Sequence, residues 1–119
     1  MKKLWAIAAV MALVGCAEKA PLTPEQQWQG YCKSVGNAAR TILLDRQNGI
    51  EKAAAIEHAD KLEDPTTKTF IFEIIEQVYA LPDARINENH SESREQLRAE
   101  VTQRCQATPF TEIPEYKPF

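Results

Sequence analysis

The residues able to do chemistry in this chain are few. There are three cysteines, Cys16, Cys32 and Cys105, two histidines, His58 and His90, and scattered carboxylates. Glu57, His58 and Asp60 are close enough in sequence to suggest a metal site. They fall within the run Glu57-His58-Ala59-Asp60-Lys61-Leu62-Glu63-Asp64, however, and neighbouring positions of a helix point in different directions, so a charged, solvated helix face is the expected role. Glu73 and Glu76, three residues apart, have the spacing of paired acids on one helix face, but they equally form the polar side of an otherwise apolar helix. No CxxC, HExxH or GxSxG motif occurs, the four glycines are scattered rather than forming a phosphate-binding loop, and no base sits at a recognisable spacing from a Ser or Cys nucleophile. These observations predict no catalytic site, no metal and no organic cofactor.

Cys16 closes an apolar run that extends from Leu4 to Val14 and follows Lys2 and Lys3. A basic start, a short apolar segment and a small residue at the end are the parts of an export signal. At roughly a dozen residues the segment is shorter than the ~20 needed to cross a bilayer. Leu13-Val14-Gly15-Cys16 resembles the lipobox of bacterial lipoproteins, although the residues alone also fit a buried amphipathic helix or a secretory signal with a chance cysteine. The resemblance implies that residues 1–15 are removed, that Cys16 is lipidated and that residues 16–23 form a lipidated tether. Ala17, where an Asp would mark inner-membrane retention, implies the outer membrane, on a face left open. The seven residues from Ala17 to Thr23 reach at most about 23 Å, keeping the body near its membrane. Export also implies an oxidising compartment, in which Cys32 and Cys105 are the remaining pair for a disulfide; two buried free thiols or half of a metal site are the alternatives. Closing a loop of about 74 residues would stabilise the fold by about 4 kcal/mol.

Loss of residues 1–15 removes Lys2 and Lys3 and no acid, so 14 basic residues become 12 against 17 acidic ones, a formal charge of −5. That balance argues against nucleic acid as a partner. The length suits one domain, residues 24–107, followed by a tail, 108–119. Thr23-Pro24-Glu25-Gln26 has the form of a capping box, opening a first helix whose apolar stripe includes Trp28, Cys32, Val35, Ala39 and Leu43 and which stops at Gly49. A weaker second helix is predicted over residues 50–62. A third begins after Asp64, carries the most apolar face through Phe70, Ile74, Ile75 and Val78, and ends at Pro82. Residues 82–92 read as a polar loop, and Ser93 with Gln96 reads as the capping box of a fourth helix reaching Ala107. The fold class is therefore all-α: a small bundle of about four helices with one disulfide joining the first and last. In the tail, Phe110, Ile113, Tyr116 and Phe119 recur every three residues among prolines, the period of polyproline II, so they line one edge that either docks on the protein's own helices or meets a partner.

Tyr31-Cys32, Ala38-Ala39-Arg40, Asp45-Arg46-Gln47-Asn48-Gly49, Val78-Tyr79-Ala80 with Pro82, and the late Cys105 resemble, in this order, a diffuse group of small exported helical proteins from bacteria and their phages. The stretch before Cys105 has Leu97 and Val101 where that group has a large aromatic. The resemblance implies no activity; it marks Arg40 and Arg46 as the polar residues of interest. The functional expectation is a lipid-anchored module that captures or neutralises a protein partner by stoichiometric binding, the alternative being a structural accessory or small periplasmic chaperone of an envelope complex. The expected contact residues are Asn87, Asn89 and His90 of the polar loop with Phe110, Tyr116 and Phe119 of the tail.

Overall fold

Helix α1, Pro24–Gln47, starts where local chemistry dictates. The Thr23 Oγ1 accepts from the Gln26 N–H at 3.1 Å while Gln26 Oε1 accepts from the Thr23 N–H at 2.9 Å, the reciprocal capping box. Its other end is a Schellman motif. Gly49 adopts φ +86°, the Gly49 N–H donates to the Arg46 carbonyl at 3.0 Å and the Ile50 N–H donates to the Asp45 carbonyl at 2.9 Å. This computed structural model describes residues 20–117. Along them follow α2 (Lys52–Asp60), α3 (Pro65–Tyr79), α4 (Asp83–Asn87), α5 (His90–Ala107) and a 3-10 turn over Phe110–Glu112, with no strand among the described residues. Cys16 and the expected signal, 1–15, lie outside them, as does Phe119.

Helix α1 is the spine, with α5 and α3 packed along it and α2 resting on α3. The core consists of Val35, Ala39 and Leu43 of α1, Ile74 and Val78 of α3, Ile86 of α4, and Leu97 and Val101 of α5. Gly36 lets α1 and α5 approach closely, because a Cβ there would lie 1.8 Å from Thr102 Oγ1 and 2.8 Å from the Arg98 carbonyl oxygen. Cys32 and Cys105 are bonded, with Cα atoms 5.4 Å apart, so the staple joins the first helix to the last as expected.

Four expectations need correction. The second helix spans Lys52–Asp60 rather than 50–62, since Ile50 is consumed in closing α1 and is 43% exposed. Residues 82–92 are not all loop: Asp83–Asn87 form α4, whose one large apolar residue, Ile86, is buried. One isoleucine among polar neighbours carries no visible period, and only the core it reaches reveals the helix. Helix α5 begins at His90 instead of Ser93. Its N-cap is Asn89 in a left-handed conformation, φ 32° and ψ 63°, which asparagine tolerates better than most residues. The Ser93 hydroxyl donates to the Glu88 carbonyl at 3.4 Å and caps nothing. The tail is not a continuous polyproline II strip either, because the 3-10 turn bends it back onto the bundle.

Candidate binding groove between α3 and α5

The tail and the staple share one end of the molecule. Trp28, Cys32 and Cys105 are buried there, covered by Tyr31, Phe70, Phe110, Ile113 and Tyr116. Trp28 stacks on Tyr31 at 5.4 Å between ring centroids and meets the edge of Tyr116 at 4.8 Å, and its Nε1–H donates to the Thr108 carbonyl at 2.9 Å. Tyr31 shares a 2.8 Å hydrogen bond with Thr67. Burial raises the phenol pKa of Tyr31, as does Asp64 nearby, against the lowering effect of the Thr67 bond; burial also raises that of Tyr116. Phe110 and Tyr116, expected on a partner-facing edge, are thus half-buried in the protein's own aromatic cluster.

The loop residues of the expected contact surface sit elsewhere. Asn87, Asn89 and His90 are exposed at the start of α5, whose 18 residues extend about 27 Å before the tail begins. The fold therefore separates these residues from the tail aromatics. The Asn89 amide donates to Glu92 Oε2 at 2.8 Å, and the His90 carbonyl accepts from Gln47 Nε2 at 3.3 Å.

The motif arginines have structural partners. Arg46 donates to the carbonyls of Val78 and, at 2.8 Å, Leu81, pairs with Asp83 at 3.1 Å, and lies over the Tyr79 ring at 5.6 Å from its centroid. It thereby satisfies the exposed carbonyl end of α3, where a cation is favourable. Tyr79 in turn donates to the Ile50 carbonyl at 2.6 Å, and its pKa is raised by burial and by Asp45, opposed by Arg46. The two short motifs around residues 45–49 and 78–82 are thus one structural joint. Arg40 pairs with Glu95 at 3.0 Å with both side chains about half exposed. The Glu95 pKa is lowered, chiefly by its hydrogen bond from Arg98 and further by Arg40.

The carboxylates weighed as chemistry are dispersed. Asp60 pairs with Lys68 at 3.3 Å, while Glu57 and His58 are exposed on α2. Glu76 pairs with Lys52 at 2.8 Å on the side of α3 that faces α2. Glu73 instead borders a groove. Among the described residues no group of His, Cys, Asp and Glu is arranged to hold a metal ion.

That groove is the feature sequence reading missed. Helices α3 and α5 both pack on α1 and face each other across a gap of about 510 Å³. One wall is the α3 stripe Thr66, Thr69, Phe70, Glu73, Ile74 and Gln77; the other is Val101, Arg104, Cys105 and Thr108 of α5, with Ile113, Pro114 and Glu115 of the tail at one end. The volume falls in the range of ligand pockets, about 300–1,000 Å³. A 2.9 Å bond from Arg104 Nη2 to Gln77 Oε1 crosses the gap. Glu73 and Glu115 are exposed and have no ion-pair or hydrogen-bond partner among the described residues. Thr66 is 4% exposed, yet its hydroxyl oxygen has no partner. Comparison with family models, with curated proteins and with solved structures gave no match to this chain.

Proposed function

We propose that this protein is a lipid-anchored binding module of the bacterial outer membrane, which captures or neutralises a protein partner by stoichiometric binding without metal or organic cofactor. The observation that carries the reading is the open groove between two helices that are each fastened to α1, one by a disulfide and the other by the Arg46 joint. A preformed apolar cleft on a rigid scaffold suits recognition. The polar residues lining it are three threonines, two carboxylates and an arginine held by glutamine, with no histidine or lysine among them to serve as a base. The anchor rests on the lipobox at Cys16 and the short tether.

Mild crosslinking of the full-length protein in its host envelope, followed by purification, tests the reading. One stoichiometric protein partner is expected. A broad set of unfolded clients would favour the chaperone alternative, and saturable turnover lost on a single polar substitution would make it an enzyme. Cys16→Ser tests the anchor separately: the folded body should leave the membrane fraction, because acyl chains supply the membrane affinity. Retention of the substituted, signal-cleaved protein in washed outer membranes would refute lipidation as the anchor.

A further inference from the structure

We propose that the α3–α5 groove receives an amphipathic helix of the protein partner, apolar stripe inward, with lysine or arginine residues on its flanks. This deepens the binding-module reading and rests on it. The first argument is geometric. Thr66, Thr69, Phe70, Glu73, Ile74 and Gln77 follow one another at steps of three and one, the row that a helix presents to a neighbouring helix. From Thr66 to Ile74, short of the Gln77–Arg104 bond that crosses the gap, the row runs about 12 Å, or about two turns. A groove walled by two helices, with Phe70 and Ile74 on one side and Val101 on the other as its apolar lining, has the form into which a helix inserts residues at i, i+3, i+4 and i+7.

The second argument is electrostatic. Glu73 on one wall and Glu115 at the tail end have no ion-pair partner, and the groove's cation, Arg104, keeps its charge because it bonds to the neutral Gln77 amide, so the lining carries two negative charges against one positive. Two free carboxylates disfavour a fatty-acid head or an acidic peptide and favour cationic flanks.

The test uses a synthetic amphipathic peptide of about 14 residues, long enough to span the groove, with leucine at i, i+3, i+4 and i+7 and lysine on the flanks. Its affinity for the folded protein is measured by titration calorimetry, with amide NMR to locate it. Saturable binding that shifts groove amides is expected, weakened at least about tenfold by E73K/E115K or by Thr69→Trp, which fills the groove. The double variant E57K/E88K carries the same charge change on exposed residues of α2 and of the α4–α5 junction, neither of which lines the groove, and should alter affinity less than about twofold. A glutamate-flanked version of the peptide should bind about tenfold more weakly. Melting curves confirm that each variant is folded, and the exposed Glu73 and Glu115 keep the test usable if Thr69→Trp is not. Equal loss in both lysine double variants, no saturation by about 0.1 mM peptide, or groove shifts produced by dodecanoate and not by the peptide would overturn the proposal. In host crosslinking, a partner captured equally by E73K/E115K would sink the groove assignment and leave the binding-module reading standing. Groove-specific peptide binding with no stoichiometric partner would sink that reading alone.

Discussion

At the end of the bundle where α1 begins, a covalent bond between Cys32 and Cys105 lies beneath Trp28, Tyr31, Phe70 and the folded-back tail. At the end where α1 stops, Arg46 holds two carbonyls, a carboxylate and the Tyr79 ring. The first end depends on burial and on chain connectivity, which tolerate small shifts of position. The second depends on directed hydrogen bonds to charged groups, which do not. Together they explain how a gap persists between α3 and α5. The staple holds α5 to α1, while the Tyr31–Thr67 bond and the Arg46 joint hold α3 to the same helix, so neither wall is free to collapse onto the other.

Removing the staple is expected to be the most damaging way to upset this arrangement. Cys32→Ala/Cys105→Ala should cost about 2–4 kcal/mol in urea denaturation while leaving the helical dichroism largely intact. A smaller loss than at the Arg46 end would reverse the ranking of the two ends. Deleting residues 109–119 comes next. It strips Phe110, Ile113 and Tyr116 from Trp28; half-burial of three side chains, each contributing about 1.5–3 kcal/mol when fully buried, amounts to about 2–4.5 kcal/mol, which the ordering entropy of the tail reduces to a net loss of about 2–3 kcal/mol. Trp28 emission should shift to the red, and an unchanged melting temperature would show that the tail does not dock on its own body. Arg46→Met should cost about 1.5–3 kcal/mol by leaving the Val78 and Leu81 carbonyls without their charged donor. Arg46→Lys should recover only part of this, since an ammonium lacks the forked donor geometry. Full rescue by lysine would mean that charge, rather than the directed bonds, holds this end.

The smallest effects are those of pH. Both ends contain tyrosines whose pKa is raised by burial, Tyr31 and Tyr116 at one and Tyr79 at the other. Because the folded state favours the protonated phenol, stability is unaffected below the unfolded value of about 10 and falls as pH rises from there through the raised folded values. Phenolate absorbance should therefore appear together with unfolding; titration of all three tyrosines near pH 10 in a fully folded protein would contradict it. Glu95 works in the opposite sense. Its lowered pKa means that its contribution is present above the usual carboxylate range and disappears as pH falls through the folded value. As an exposed pair with Arg40 and Arg98, it should leave the acid midpoint of Glu95→Gln close to that of the parent.

Much of the fold was legible because helix starts are local. Thr23 with Gln26, and Asp64 with the Thr67 N–H at 3.0 Å, act within one turn, so their chemistry is written in adjacent residues. The start of α5 differs from expectation because Ser93 and Gln96 have the right types at the right spacing, while the backbone turns four residues earlier at Asn89. Helix α4 was missed because Ile86 gains meaning only from Leu97, Val78 and the rest of the core around it.

Sequence alone determined the all-α class, the two strong helices, the cysteine pair on apolar faces and the negative charge of the body, since each follows from residue type and from spacing within a few turns. Only the tertiary structure decided that Arg46 would close α3, that Phe110 and Tyr116 would turn inward, that Asn87, Asn89 and His90 would lie at the other end of α5, and that α3 and α5 would stand apart. Those outcomes depend on distances between elements far apart in the chain. A periodic pattern states which face of a helix is apolar, but not how much of that face its neighbours will cover, and the uncovered remainder of α3 is the groove.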